Sequence, residues 1–114
     1  RDFIYVKDVV DVIGWMLDTM LQNNWMSVND GLYNLGTGEA RSFIDLVRAT
    51  FAGLELEPNI HFIDMPLDIR DTYQYFTEAN MQKLIQEGYT TPFHTLEEGV
   101  ADYVEQYLMK GHYL

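Results

Sequence analysis

The residues able to do chemistry in this chain fall in three places. Gly36-Thr37-Gly38 follows a short apolar run and precedes an expected helix, a position where glycines let backbone N–H groups approach a phosphate. The third glycine of the dinucleotide-binding fingerprint is absent, with Ala40-Arg41 where it should come, so a plain tight turn is the simpler expectation. Arg1 stands before the aromatic-rich run Phe3-Ile4-Tyr5-Val6 in a chain with only 7 Lys and Arg, and a rigid guanidinium suits bidentate phosphate recognition. A salt bridge from Arg1 to Asp2 or Asp8 is the structural alternative. The third place is Arg70-Asp71-Thr72-Tyr73-Gln74-Tyr75-Phe76-Thr77, a polar loop rich in aromatics. Its ring faces and hydroxyls suit sugar or nucleoside contacts, although a hydrophobic staple also puts Phe before a helix start.

The other reactive side chains form no such grouping. His61, His94 and His112 show no ligand spacing with one another or with a carboxylate pair, so no metal site is expected. Glu55/Glu57, Asp68/Asp71 and Glu97/Glu98 invite an acid–base reading, yet 18 acidic residues produce such pairs by chance and solvated surface is the expectation for them. No Ser or Thr can be matched to a His and an acid as an activated nucleophile. With no cysteine, disulfide frameworks, thiolate zinc sites and cysteine nucleophiles are all excluded.

These residues must be positioned by a pattern that alternates. Phe3 to Val6 reads as a short strand, and Asp8 can cap a helix carrying Val9, Ile13, Met16, Leu17, Met20 and Leu21 at helical spacing. Asn23, Asn24, Ser27, Asn29, Asp30 and Gly31 supply a polar connection to Leu32-Tyr33-Asn34-Leu35, a second strand closed by the glycine turn. Ser42 with Asp45 is a variant capping box for a helix through Phe43, Leu46, Val47, Thr50, Phe51 and Leu54. Ile60 to Met65 is a third strand candidate, stopped by Pro66. Thr77 can cap a short helix with Met81, Leu84 and Ile85 that ends at Gly88, and Thr95 with Glu98 is a full capping box for the last helix. Leu96, Val100, Tyr103, Val104, Tyr107 and Leu108 lie on one face of that helix. Strands alternating with helices argue an α/β fold with short parallel or mixed strands and helices packed on them. Three short strands leave open edges and uncovered faces, which suggests a missing neighbour.

Composition bounds the partners. The 114 residues have room for one core, and 47% apolar with 14% aromatic content is enough to build it. A formal charge of −11 opposes an electrostatic grip on nucleic acid or an anionic membrane. No run approaches a membrane span and no basic-then-apolar leader opens the chain. The chain starts at Arg1 inside a dense apolar run and reads as cut from something longer.

Taken together, Arg1-Asp2-Phe3-Ile4-Tyr5-Val6-x-Asp8-Val9 and Tyr33-Asn34-Leu35-Gly36-Thr37-Gly38 before a Ser-capped helix resemble the C-terminal part of the extended short-chain dehydrogenase/reductases that act on nucleotide sugars. Tyr73-Gln74-x-Phe76-Thr77-x-Ala79, Gly88-Tyr89, Pro92-Phe93 and Thr95-x-x-Glu98-Gly99-Val100 are similar to the branch that epimerises ADP-heptose at C6. The resemblance covers essentially all 114 residues. It implies a parent with a Rossmann-type NADP domain and a smaller substrate domain, of which residues 1–114 form a single substrate-binding portion without the cofactor-binding half. It implies a cytoplasmic homo-oligomer that moves hydride from the heptose to NADP and back to the other face, making a lipopolysaccharide core precursor. By motif position, Arg1 would bind the ADP-sugar pyrophosphate, Tyr73 would contact the substrate, and Arg70 would assist.

The superfamily's glycine-rich Gly-x-x-Gly-x-x-Gly turn and its Tyr-x-x-x-Lys pair occur nowhere in these residues; Tyr107-Leu108-Met109-Lys110 has the wrong spacing. The expectation is therefore orientation without chemistry: no catalytic residue, no metal and no cofactor held by this chain itself. Another epimerase, dehydratase or reductase of the superfamily, and a non-catalytic assembly module, remain as alternatives.

Overall fold

The computed structural model describes residues 1–22 and 31–113. The polar connection read over Asn23 to Asp30 lies outside the described residues. Among the described residues five helices follow one another: α1 (Val6–Gln22), α2 (Phe43–Gly53), α3 (Leu67–Arg70), α4 (Gln82–Gln86) and α5 (Leu96–Tyr103), the last running into a π-helical turn over Val104–Leu108.

Two helix starts follow their caps. Ser42 accepts from the Asp45 N–H at 3.1 Å while the Asp45 carboxylate accepts from the Ser42 N–H at 3.0 Å. Thr95 and Glu98 do the same at the head of α5, at 3.2 and 2.9 Å. Each box satisfies two of the N–H groups that a helix start otherwise leaves without partners. The α2 and α5 helices pack together, and at their end Gly53 leaves room for the π turn, since a Cβ there would stand 3.3 Å from the Val104 Cβ and 3.6 Å from the Ala101 Cα. The Met109 N–H then reaches the Val104 carbonyl at 2.9 Å, the wider i to i+5 bond of a π turn.

Two other expected starts are corrected. The first helix begins at Val6, and Asp8, read as its cap, instead sits in the first turn with 3% exposure, facing His94. The expected Thr77 start is replaced by α4 at Gln82, whose N–H bonds the Asn80 side chain at 3.0 Å. Met81, expected inside this helix, lies at its cap, and Gly88, at φ 104°, does end it. An isolated helical turn, α3, occupies part of what read as polar loop.

The core follows from which face of α1 is covered. Val12, Met81, Leu84 and Tyr89 are buried together, with Trp15, Met16, Leu35, Ala79 and Phe93 packed around them. The expected α1 stripe splits: Val9, Met16 and Met20 are half-buried, whereas Ile13, Leu17 and Leu21 face outward.

None of the three expected strands forms among the described residues; the only β-pairing there is the isolated antiparallel bridge between Asp2 and Ala40. A strand needs a partner edge for its N–H and C=O groups, and Phe62 at 79% and Leu32 at 94% exposure lie in no β-pairing among the described residues. The accessible surface of 8668 Å² exceeds the roughly 6,500 Å² of a compact monomer of this mass. The radius of gyration is 17.6 Å against about 13 Å for a compact domain of this length. An open apolar hollow of about 490 Å³ between the 2–6 segment, α2 and α5, lined by Phe3, Tyr5, Leu46, Leu96, Val100 and Val104, belongs to the same uncovered surface.

Candidate functional site

The first residue and the aromatic loop meet. The Arg1 guanidinium lies over the Tyr73 ring, 5.2 Å from its centre, within cation–π range. Tyr75 stands edge-on to Tyr73 with centroids 5.2 Å apart and rings at 76°, and its hydroxyl reaches the Met65 sulfur at 3.8 Å. Arg70, the last residue of α3, donates from its guanidinium to the Met65 carbonyl at 3.1 Å, a bond back across the helical turn. Of the three expected site residues, two are therefore in contact, and the third is bound to the loop backbone.

Neither of the expected salt bridges to Arg1 exists; among the described residues no carboxylate pairs with its side chain. Asp2 and Asp8 are both engaged elsewhere. Asp2 accepts from the Thr37 N–H at 2.7 Å and the Thr37 hydroxyl at 2.6 Å through one oxygen. Its other oxygen accepts from the Gly38 N–H at 3.0 Å and the Ala79 N–H at 2.9 Å. Burial pushes the Asp2 carboxyl up, but bonds from Thr37, Ala79 and Gly38 outweigh it and hold the group below the usual carboxylate range. Gly36 permits this approach, since a Cβ there would stand 2.5 Å from Asp2 Oδ2 and 2.6 Å from the Ala79 Cβ. Gly38, at φ 76°, takes the left-handed conformation the turn requires.

The glycine turn is thus a tight turn whose amides are already filled by a carboxylate of the chain. It does not fit the phosphates of a dinucleotide, because two of the N–H groups that would cradle them point at Asp2.

The main chain of Arg1 is fixed too. Its main-chain nitrogen donates to the Arg41 carbonyl at 2.6 Å, and the Arg41 N–H donates to the Arg1 carbonyl at 2.8 Å. Arg41 in turn pairs with Glu97 at 2.6 Å and Asp45 at 3.5 Å, linking this segment to α2 and α5.

A tyrosine and a lysine do come together elsewhere. Tyr5 and Lys7 both donate to Asp102 Oδ2, the lysine at 2.6 Å. Burial and then the Asp102 carboxylate push the Tyr5 phenol up to about 12, opposite to what a phenolate base near neutral pH requires. The Glu97/Glu98 pair is also structural, one partner binding Arg41 and the other closing the Thr95 capping box. Among the described residues no three His, Asp or Glu converge as metal ligands.

Sequence reasoning missed Asp2 and Asp8 as hubs. Asp8 accepts the His94 N–H at 3.0 Å and pairs with His94 Nδ1 at 2.6 Å, which raises the imidazole above its ordinary value. Their partners stand 35 to 86 residues away, so local patterning carries no trace of them.

No protein-family model matches the chain. Curated relatives match nearly all of it. The ADP-L-glycero-D-manno-heptose-6-epimerase of Fusobacterium nucleatum subsp. nucleatum is 48% identical over 96% of this chain. The enzyme of the same name from Nitratidesulfovibrio vulgaris strain DP4 is 50% identical over 95% of it. This chain is a relative of the ADP-L-glycero-D-manno-heptose-6-epimerases. It spans about a third of the length of these epimerases, 33% and 31% respectively, and corresponds to a C-terminal portion. No described helix is long and apolar enough to cross a membrane.

Proposed function

We propose that these residues form a substrate-binding portion of an NADP-dependent ADP-glyceromanno-heptose 6-epimerase, which converts ADP-D-glycero- to ADP-L-glycero-D-manno-heptose in the cytoplasm for the lipopolysaccharide core. The observation that carries the reading is the Arg1 guanidinium over Tyr73, with no carboxylate pairing it among the described residues. A cation with its donors not taken by an acid, beside two tyrosines, suits a ligand with a diphosphate next to uncharged rings. In a chain of charge −11, an anionic ligand requires such a local cation.

Within these residues the contribution is binding and orientation. Hydride chemistry is that of the nicotinamide, and the glycine turn, filled by Asp2, is not its phosphate site. The open apolar surfaces fit cover by the other two thirds of the parent and by a second copy in a homo-oligomer. Arg70 holds the loop in shape and reaches the ligand only if it leaves the Met65 carbonyl.

Titration of the full-length protein with ADP-, UDP-, GDP- and dTDP-sugars tests the substrate class. Preference for ADP-mannose, lost in Arg1→Ala and Tyr73→Ala, is expected. Unchanged ADP-sugar affinity in both variants sinks the site assignment, and preference for another nucleotide moves the protein to a different member of the superfamily.

A further inference from the structure

We infer that Asp2 is the positioning residue of this site: its carboxylate fills the amide cradle of the Gly36–Gly38 turn, ties that turn to Ala79, and so fixes Arg1 against Tyr73. The inference rests on the reading of Arg1 and Tyr73 as ADP-sugar contacts and assigns to Asp2 a role that those residues do not supply for themselves.

Arg1 and Tyr73 belong to segments that share no helix, and both are only half-buried, so water competes for the cation–π contact between them. A contact of that strength does not hold two loops in register. Asp2 does, because it is one residue from Arg1 and gathers four donors from two distant segments, at 2.6 to 3.0 Å. Ala79 is the sixth residue after Tyr73, on the same loop, so the Ala79 bond sets how far that loop stands from Arg1. The Arg41 bonds fix Arg1 from the other side, yet they involve its main chain only and say nothing about the loop. Gly36 is part of the same device: any side chain there would displace Asp2 or Ala79.

The arrangement also explains why a turn shaped for an anion is needed. Three N–H groups and a hydroxyl converge on one point, which is the pattern that binds phosphate when it is free. Here the anion is supplied by the chain, and the diphosphate is left to the adjacent guanidinium.

The test uses the full-length protein, with ADP-mannose as the probe in calorimetry and ADP-D-glycero-D-manno-heptose as the substrate in steady-state kinetics. Asp2→Gly is expected to weaken ADP-mannose binding about tenfold or more, the size of losing a charged hydrogen-bonding partner. KM should rise with kcat within about twofold, because binding common to ground and transition states is lost. A purely structural role would instead lower the active fraction, reducing apparent kcat at unchanged KM, and that result overturns the inference. Sodium formate should restore much of the affinity in Asp2→Gly by refilling the cradle, and should not restore Arg1→Ala. If Asp2→Gly does not fold, Asp2→Asn serves: it keeps the volume but can turn only one acceptor to the donors, so a folded variant with weakened binding is expected. A folded Asp2→Asn or Asp2→Gly with wild-type affinity overturns the positioning role. Wild-type affinity in Arg1→Ala and Tyr73→Ala would instead remove the substrate reading itself, so the two failures are distinguishable.

Discussion

The Arg1 guanidinium stacks over Tyr73 at 5.2 Å, joining the first residue of the chain to a loop far along it. Arg1, singled out by its cation, and Tyr73, singled out within an aromatic loop by the family resemblance, are neighbours in space. Removing the guanidinium should therefore be felt by an anionic ligand and hardly by the fold. For Arg1→Ala in the full-length protein we expect a loss of about 1.5–3 kcal/mol in ADP-sugar binding, the range for a charged hydrogen-bond partner. Arg1→Lys should recover only part of it, since an ammonium cannot reproduce the planar fork. Calorimetric titration decides, and equal affinities for all three proteins would remove Arg1 from the site.

Replacing Gly36 by Ala should damage both the turn and what it holds. The new Cβ would stand 2.5 Å from a carboxylate oxygen and 2.6 Å from another Cβ, and neither neighbour is the loose end of a flexible side chain. Overpacking of this kind costs on the order of 1–3 kcal/mol. Chemical denaturation should show that loss, together with weaker ADP-sugar binding. A variant as stable as wild type would mean that Asp2 and Ala79 can separate without consequence.

What was legible in the sequence follows from the range of the forces involved. The Ser42 and Thr95 boxes were readable because cap and partner lie three residues apart. The Gly88 stop was readable because a left-handed residue is a local demand. The strands were not, because a strand is decided by the strand beside it, and Leu32-Tyr33-Asn34-Leu35 takes part in no β-pairing among the described residues. The inward face of α1 was misjudged for a related reason: Asp8 turns toward His94, so the buried face runs through Val12 and leaves Ile13 and Leu17 outside. At the site, residue type pointed to Arg1 and to the aromatic loop, and the family resemblance to Tyr73, while Asp2 was passed over because a carboxylate reads as solvated until its donors are seen.

The small core makes the chain sensitive to single deletions. Leu84 is 1% exposed at the centre of the cluster with Val12, Met81 and Tyr89. Leu84→Ala should cost about 2–5 kcal/mol. That is a large part of the 5–15 kcal/mol typical of a whole domain, about what a protein can lose before it unfolds. Urea unfolding should show a lower midpoint with an unchanged slope; a midpoint equal to wild type would mean that this cluster is not what holds α1 to α4.

Stability should also depend on pH in a way set by Asp8 and His94. The hydrogen bond it donates to Asp8, with smaller contributions from the Asp8, Glu98 and Asp102 charges, raises the imidazole above its ordinary 6.5 despite some desolvation. A group whose folded value is raised binds its proton more tightly in the native state, so its stabilisation is complete below the unfolded value and is lost as pH rises through the folded one. The carboxylates run the other way. Asp2, Glu98 and Asp102 are held below their ordinary values, so their contribution is complete above the unfolded value and is lost as pH falls. Stability should accordingly be greatest between about the ordinary Glu value of 4.5 and the ordinary His value of 6.5, and should decline on the alkaline side through His94. The imidazole is 43% exposed, so solvent screens the pair and the decline is modest. Thermal melts of wild type and His94→Asn should differ most below 6.5 and converge as the pH climbs past neutrality. A difference that stays constant from acid to alkaline pH would show that His94 holds Asp8 as a neutral ring, through its backbone N–H and an uncharged Nδ1 donor alone.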